Sequence, residues 1–327
     1  MKIGKVPENV LKRSVMKQLH YKRDEVILGP GIGEDCAALA LAEDEILVMS
    51  TDPITGTAKD IGKLAIQITA NDLASAGAEP IGVMLTILLP DGTREIALKR
   101  IMEQMECACR EAKMQILGGH TEVTAVVNQP VVNVAGVAKA KKGSLISTAG
   151  ARAGMDIVVS KWVGIEGTMI FAKEKEAELK EHFPADFVDT AIGFDRYLSV
   201  VPEAAVATQS SVAAMHDVTE GGLFGALWEM EEASGVGLEI DLKKIPIRQE
   251  TVEICEYFDV NPYGLISSGM MLMASADGNA LVLALQEAGI PATVIGKATE
   301  GNDRVIIRDE ERRFLEPPKT DELYKVL

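Results

Sequence analysis

The stretch DIGKLAIQITANDLASAGA, Asp60–Ala78, decides how this chain is read. Leu64, Ile68 and Leu73 recur at helical spacing, which predicts a helix over Asp60–Gly77 with Gly77 as its C′ residue. Asn71-Asp72 sits inside that helix, although Asp is a poor mid-helix residue. A solvated helix face or a local cap would also accommodate the pair. An acid kept there at a cost in propensity points instead to a ligand-facing role. Packing does not require it, because carboxylates are rarely fully buried without a partner.

Working outward, acids recur beside apolar runs in GEDCA (Gly33–Ala37), STD (Ser50–Asp52) and, far downstream, HDVTEGGL (His216–Leu223). Asp35, Asp52, Asp72 and Asp217 each lie near Gly, Thr or Asn. That arrangement makes sense if the acids converge on divalent cations carrying a polyphosphate. With Glu122 they form the candidate metal set, and Mg²⁺ is the expected ion because hard cations take oxygen ligands.

Gly29-Pro-Gly-Ile-Gly33 precedes Glu34-Asp35, and its spaced glycines let backbone N–H groups turn toward a ligand, Gly33 among them. It is not a dinucleotide fingerprint, since a β-like run follows it, nor a P-loop, since the Gly-Lys-Ser/Thr end is missing. A plain surface turn is the alternative. Gly118-Gly119-His120-Thr121-Glu122 follows the apolar run Met114–Leu117. Gly118, Gly119 and Thr121 suit phosphate contact and Glu122 suits a metal. His120 is a candidate general base, although a His near a turn is more often a structural hydrogen-bonder. In the downstream motif Thr219 or Glu220 could cap the following helix. Gly221-Gly222 at the helix start is also an anion site. An acid beside an anion site needs a cation between them, which makes Asp217 a metal and phosphate residue.

Composition narrows the class. At 327 residues and 35.1 kDa, with 47% hydrophobic residues and mean hydropathy +0.12, the chain suits two packed α/β domains. Aromatic content of 4% leaves the core to aliphatic residues and Met. A net charge of −16 argues against nucleic-acid or anionic-membrane partners, but not against a nucleotide bridged by Mg²⁺. Cys36, Cys107, Cys109 and Cys255 do not suggest a disulfide framework, and Cys107 and Cys109 should point to different helix faces. Met1–Arg13 lacks an apolar signal core, and the uncharged runs Val123–Ala138 and Val260–Ala276 are too short and polar to span a bilayer. A cytoplasmic enzyme fits these features.

Strands are expected at Cys36–Leu41, Glu45–Ser50, Ile81–Leu89 and Val131–Lys139, with an amphipathic helix over Thr93–Lys113. The Lys-, Ala- and Gly-rich stretch Lys139–Gly154 predicts a boundary between domains 1–147 and 148–327. Beyond it, a strand at Asp156–Ser160, a helix after Gly164-Ile-Glu-Gly-Thr168, the Met215 strand and helices at Gly222–Ser234 and Asn279–Gly289 continue the alternation. Strands at Met270–Ala274, Thr293–Gly296 and Arg304–Ile307 complete it. Alternating elements of this kind give layered α/β domains.

Taken together, these motifs resemble a superfamily of ATP-dependent enzymes. It contains aminoimidazole ribonucleotide (AIR) synthetase, selenophosphate synthetase, thiamine-monophosphate kinase and HypE, the carbamoyl dehydratase of hydrogenase maturation. Asp60–Ala78 and the stretch from Ser234-Gly-Val-Gly-Leu-Glu-Ile240 through Leu265-Ile-Ser-Ser-Gly269 are closest to HypE. The resemblance implies a two-domain fold whose amino-terminal domains pair in a homodimer around a shared β-barrel. It implies that Glu34-Asp35, Thr51-Asp52, Asn71-Asp72, Gly118, Gly119, Thr121, Asp217, Thr219, Gly221 and Gly222 hold ATP and Mg²⁺, with Lys63 as a further nucleotide contact. Asp72, Asp217 and His120 become the catalytic candidates. The γ-phosphoryl would pass to a carbonyl or amide oxygen of a small-molecule or protein-borne substrate. The chain departs from the pattern where HypE ends in a substrate-carrying Cys, since its own last residues are Leu323-Tyr-Lys-Val-Leu327. His120 stands where HypE has an acid. A thiamine-monophosphate-kinase-like activity, or an ATP-binding assembly role without turnover, is the alternative.

Overall fold

The computed structural model describes residues 4–30, 36–54, 60–317 and 320–326. The chain divides into two compact units, Met1–Ala74 with Ala78–Leu145, and Ser75–Gly77 with Ile146–Leu327. Both mix helices with a sheet.

The first unit runs β1 (Gly4–Lys5), α1 (Glu8–Ser14), β2 (Val26–Leu28), β3 (Ala38–Leu39), β4 (Glu45–Ile54), α2 (Ile61–Ser75), β5 (Glu79–Pro90), α3 (Glu95–Glu111), β6 (Gln115–Thr124) and β7 (Val131–Lys141). Its main sheet has the order β1-β6-β5-β7-β4. β5 and β6 are parallel, because α3 carries the chain back to the starting edge, and the other pairs are antiparallel. One face is apolar and buried through Val83, Leu85 and Ile87 of β5 and Val132 and Val134 of β7. On this face α2 lies so close to β7 that a Cβ on Gly136 would come within 2.3 Å of Thr69 Cγ2. The opposite face is open. It carries half-buried Met84, Thr86 and Leu88 of β5, and β4 adds Leu47 and Met49, which are 50% and 62% exposed.

Two expectations change here. The strand anticipated at Cys36–Leu41 shrinks to Ala38–Leu39, which among the described residues pairs with β2 alone. Gly118–Glu122 is no turn, because the strand continues through it. Parallel pairing of Met84 with Gly118 and Thr86 with His120 keeps the backbone extended there.

The second unit runs β8 (Asp156–Ser160), α4 (Ile165–Glu174), α5 (Glu176–His182), α6 (Ala185–Ile192), α7 (Val201–Ala207), β9 (Val212–Asp217) and α8 (Gly222–Ser234). It continues with β10 (Gly237–Asp241), α9 (Gln249–Tyr257), β11 (Met271–Ser275), α10 (Gly278–Glu287), β12 (Ala292–Thr299), β13 (Arg304–Arg308) and β14 (Glu311–Phe314). Its sheet has the order β14-β13-β10-β12-β8-β11-β9. Leu223, Ala226, Leu227 and Met230 of α8 join Ile157, Val159, Leu272 and Ala274 in one apolar cluster. Val158, Met271 and Met273 alternate to the other face and are also buried, so the sheet centre is covered on both sides. Among the described residues no helix is long and apolar enough to cross a membrane.

Candidate functional site

In the first unit the site begins where β4 meets α2. Ser50 and Asp52 are two apart on β4 and so share the face that α2 covers. The Ser50 hydroxyl donates to Asp72 Oδ2 at 2.5 Å, which ties the mid-helix acid to the strand. Asn71 beside it is buried, and Lys63 in the first turn of α2 is half-buried. The start of α2 is pinned by Gln104, which accepts the Gly62 N–H at 3.3 Å and donates to Asp60 Oδ1 at 3.1 Å. Asp52 and Asp72 thus belong to one side of the sheet.

His120 and Glu122 belong to the other. Thr86 lies opposite both His120 and Asn133, and Asn133 donates to Thr51 Oγ1 at 3.3 Å. The register therefore groups His120 with Thr51 on the open face and sets Asp52 behind it. His120 Nε2 and Glu122 Oε2 pair at 3.1 Å. Gly119 has a packing reason for its identity, because a Cβ there would stand 2.0 Å from the Leu85 carbonyl oxygen. Thr121 is buried. Gly33, Glu34 and Asp35 lie outside the described residues. Among the described residues no three His, Cys, Asp or Glu side chains gather into a metal-holding group. The donors available at Asp52 and Asp72 are carboxylate oxygens, the type a hard cation such as Mg²⁺ accepts.

In the second unit Asp217 ends β9 opposite Met271 and is 6% exposed. The chain then turns through Gly221 and Gly222, at φ 83° and 60°, into α8. Gly222 has no room for a side chain, since a Cβ would lie 2.6 Å from the Tyr263 carbonyl oxygen. Neither Thr219 nor Glu220 caps the helix. Gly221 is the N-cap residue, and the Gly222 N–H bonds to the Thr219 carbonyl at 3.0 Å. His216 points away from its neighbour's task and pairs with Glu229 at 2.7 Å.

Two acids absent from the sequence reading complete this region. Glu166, in the first turn of α4, is 2% exposed and accepts the Ser268 N–H at 3.3 Å. Burial first, then the charges of Asp321 and Asp217, push its carboxyl up to about 7 against the opposing Ser268 hydrogen bonds. Asp321, also 2% exposed, accepts the N–H groups of Gly221 and Ile266. An acid between glycines in Gly164-Ile-Glu-Gly-Thr168 was a readable signal for Glu166. Asp321 had little, because two of its three N–H partners, Gly221 and Ile266, are distant in sequence and only Leu323 is local.

Residues 33–140 match the family model for AIR synthase related protein, N-terminal domain, and residues 152–309 match AIR synthase related protein, C-terminal domain. A hydrogenase expression/formation protein of Methanocaldococcus jannaschii is 29% identical over 99% of this chain and 97% of its own length. Carbamoyl dehydratase HypE of Cupriavidus necator is 32% identical over 82% of this chain and 77% of its own. A crystal structure of hydrogenase maturation protein HypE in complex with ATP shares the fold, with TM-score 0.82 and 22% identity over 98% and 97% of the two chains.

Proposed function

Because the chain belongs to the AIR synthase related protein family, an enzyme family, we propose that it is an ATP- and Mg²⁺-dependent enzyme acting in the manner of its carbamoyl dehydratase relatives. The γ-phosphoryl group of ATP passes to a carbonyl or amide oxygen of a small-molecule or protein-borne substrate. That oxygen then departs with the phosphate, giving dehydration or ring closure, as in hydrogenase maturation.

The observation that carries this reading is Asp217, a buried carboxylate directly ahead of the α8 N-terminus. The helix end favours an anion and the acid repels one, so a phosphate at that end is held best with a cation between it and Asp217. Mg²⁺ would supply charge neutralisation at the phosphates; in the first unit Asp52 and Asp72 would hold it, with Asp35 as a further ligand, and in the second unit Asp217 offers a carboxylate of the same type. The protein's own part is positioning. Ser50 orients Asp72. Gly33, Lys63, Asn71, Gly118, Gly119 and Thr121 are the nucleotide contacts proposed in the first unit and Thr219, Gly221 and Gly222 those proposed in the second, and His120, steadied by Glu122, would move a proton at the acceptor.

The open sheet face of the first unit supports a homodimer through that unit, in which two sheets close into a β-barrel. Leu47 and Met49 would then leave water on pairing. The four cysteines of the whole chain are free thiols, which fits a cytoplasmic setting.

Phosphate release from ATP in Mg²⁺, measured with and without a peptide ending in S-carbamoyl Cys, tests the proposal. Stimulation by the peptide is expected. Absence of ATP hydrolysis with every amide or carbonyl acceptor tried would overturn it.

A further inference from the structure

The stretch Leu265-Ile-Ser-Ser-Gly269 joins two acid-bearing elements of the second unit. Ser268 donates its N–H to Glu166 at 3.3 Å, and Ser267 Oγ accepts the Gly164 N–H at 2.7 Å, which ties the stretch to the start of α4. One residue on, the Met270 carbonyl accepts the Val218 N–H at 3.0 Å, and Met271 lies opposite Asp217. Residues 265–270 are neither helix nor strand, so their shape has to be held from outside. The hold comes from Lys161, just past the end of β8. Its ammonium donates to the carbonyl oxygens of Gly269 at 2.8 Å, Tyr197 at 2.9 Å and Ser199 at 2.6 Å, and it pairs with Glu203 Oε1 at 2.6 Å. Gly269 completes the joint, because at φ 101° a Cβ there would overlap the Tyr197 carbonyl oxygen.

We propose that Lys161 is a positioning residue: by holding the Gly269 carbonyl against the 197–199 segment it fixes residues 267–270, and through them the placement of Glu166 and Asp217. This role rests on the reading of Asp217 as a metal and phosphate residue and adds what aims it. Stability alone is a weak reason for the arrangement. Lys161 is 8% exposed and Glu203 is wholly buried, and a buried ion pair recovers its desolvation cost poorly. Lys161 also stands at φ 52°, a left-handed conformation that is costly for a residue other than glycine. The chain accepts both costs at the point where one side chain can gather three carbonyls from two separate segments.

The test removes both charges at once, Lys161→Met with Glu203→Leu, which takes away the hold without leaving a buried charge unpaired. Leu285→Ala, which opens the buried core under α10, is the control for lost stability. ATP hydrolysis in Mg²⁺ is measured per folded molecule, beside amide hydrogen exchange. In the double variant kcat should fall about 10- to 100-fold while KM for ATP changes less than about threefold. Exchange at the Ser268 and Val218 amides should speed up while the amides at the centre of β8 stay protected. Leu285→Ala should keep the wild-type kcat. Wild-type kcat in the double variant, or unchanged exchange at both amides, overturns the positioning role and leaves the proposed function standing. An equal fall of kcat in Leu285→Ala overturns it too, by reducing Lys161 to a structural residue. Wild type without ATP turnover overturns both. If the double variant does not fold, Lys161→Arg is read in the same way, since it keeps a charge beside Glu203 but spreads its donors over a planar fork.

Discussion

The Ser50 hydroxyl donates a 2.5 Å hydrogen bond to the Asp72 carboxylate, joining β4 to the middle of α2 on the covered face of the first unit's sheet. A carboxylate that spends one lone pair this way keeps the others in a fixed direction. Ser50→Ala is expected to lower ATP turnover by about 10- to 100-fold, the usual effect of losing a group that orients a metal ligand. Steady-state kinetics beside a thermal melt would check it. A turnover loss that merely tracks unfolding would reduce the bond to a structural tie.

Asp217→Asn should remove more, on the order of 10²–10³ in kcat, because the proposed function makes Asp217 a metal ligand at the phosphates. Glu229→Gln is the matched control. Glu229 is exposed and pairs with His216, so its loss should leave turnover near wild type. Equal activity in all three proteins would remove Asp217 from the site.

Glu166 gives a pH signature in stability. Its folded carboxyl titrates at about 7 against an ordinary 4.5, so the folded state holds more protons than the unfolded state between those values. Stability is therefore lost as pH rises through that window, by about 3 kcal/mol in all. Glu166→Gln keeps the shape without the charge. Urea melts at pH 5 and pH 8 should show the variant gaining on wild type at the higher pH. A gain that does not change with pH would mean that Glu166 is ionised throughout.

Met49→Glu places a charge on the open face of β4, beside exposed Leu47. In light scattering wild type is expected at twice the 35.1 kDa chain mass and the variant at the chain mass itself. Wild type at 35.1 kDa at micromolar concentration would rule out the dimer.

The periodic elements were legible from the residues alone. Asp156–Ser160 and Gly222–Ser234 fall where apolar spacing and flanking glycines put them, and Asn71-Asp72 does lie within a helix. Reading failed where pairing across the fold decides conformation. Gly118-Gly119 looked like a turn, yet parallel pairing with β5 keeps it extended, and Leu85 dictates Gly119. The split of Asp52 from His120 and Glu122 depends on sheet register, which no local pattern encodes. Asp321 escaped notice because its role comes from the N–H groups of Gly221 and Ile266, far away in sequence.

The central claim is that the acid motifs serve ATP only through a metal. Calorimetric titration of the wild-type protein with ATP, once in Mg²⁺ and once in EDTA, tests it most directly. Bare triphosphate meets a chain of net charge −16 whose candidate site residues include Asp52, Asp72 and Asp217, so binding should be strong in Mg²⁺ and lost in EDTA. Equal affinity in the two buffers would contradict the account.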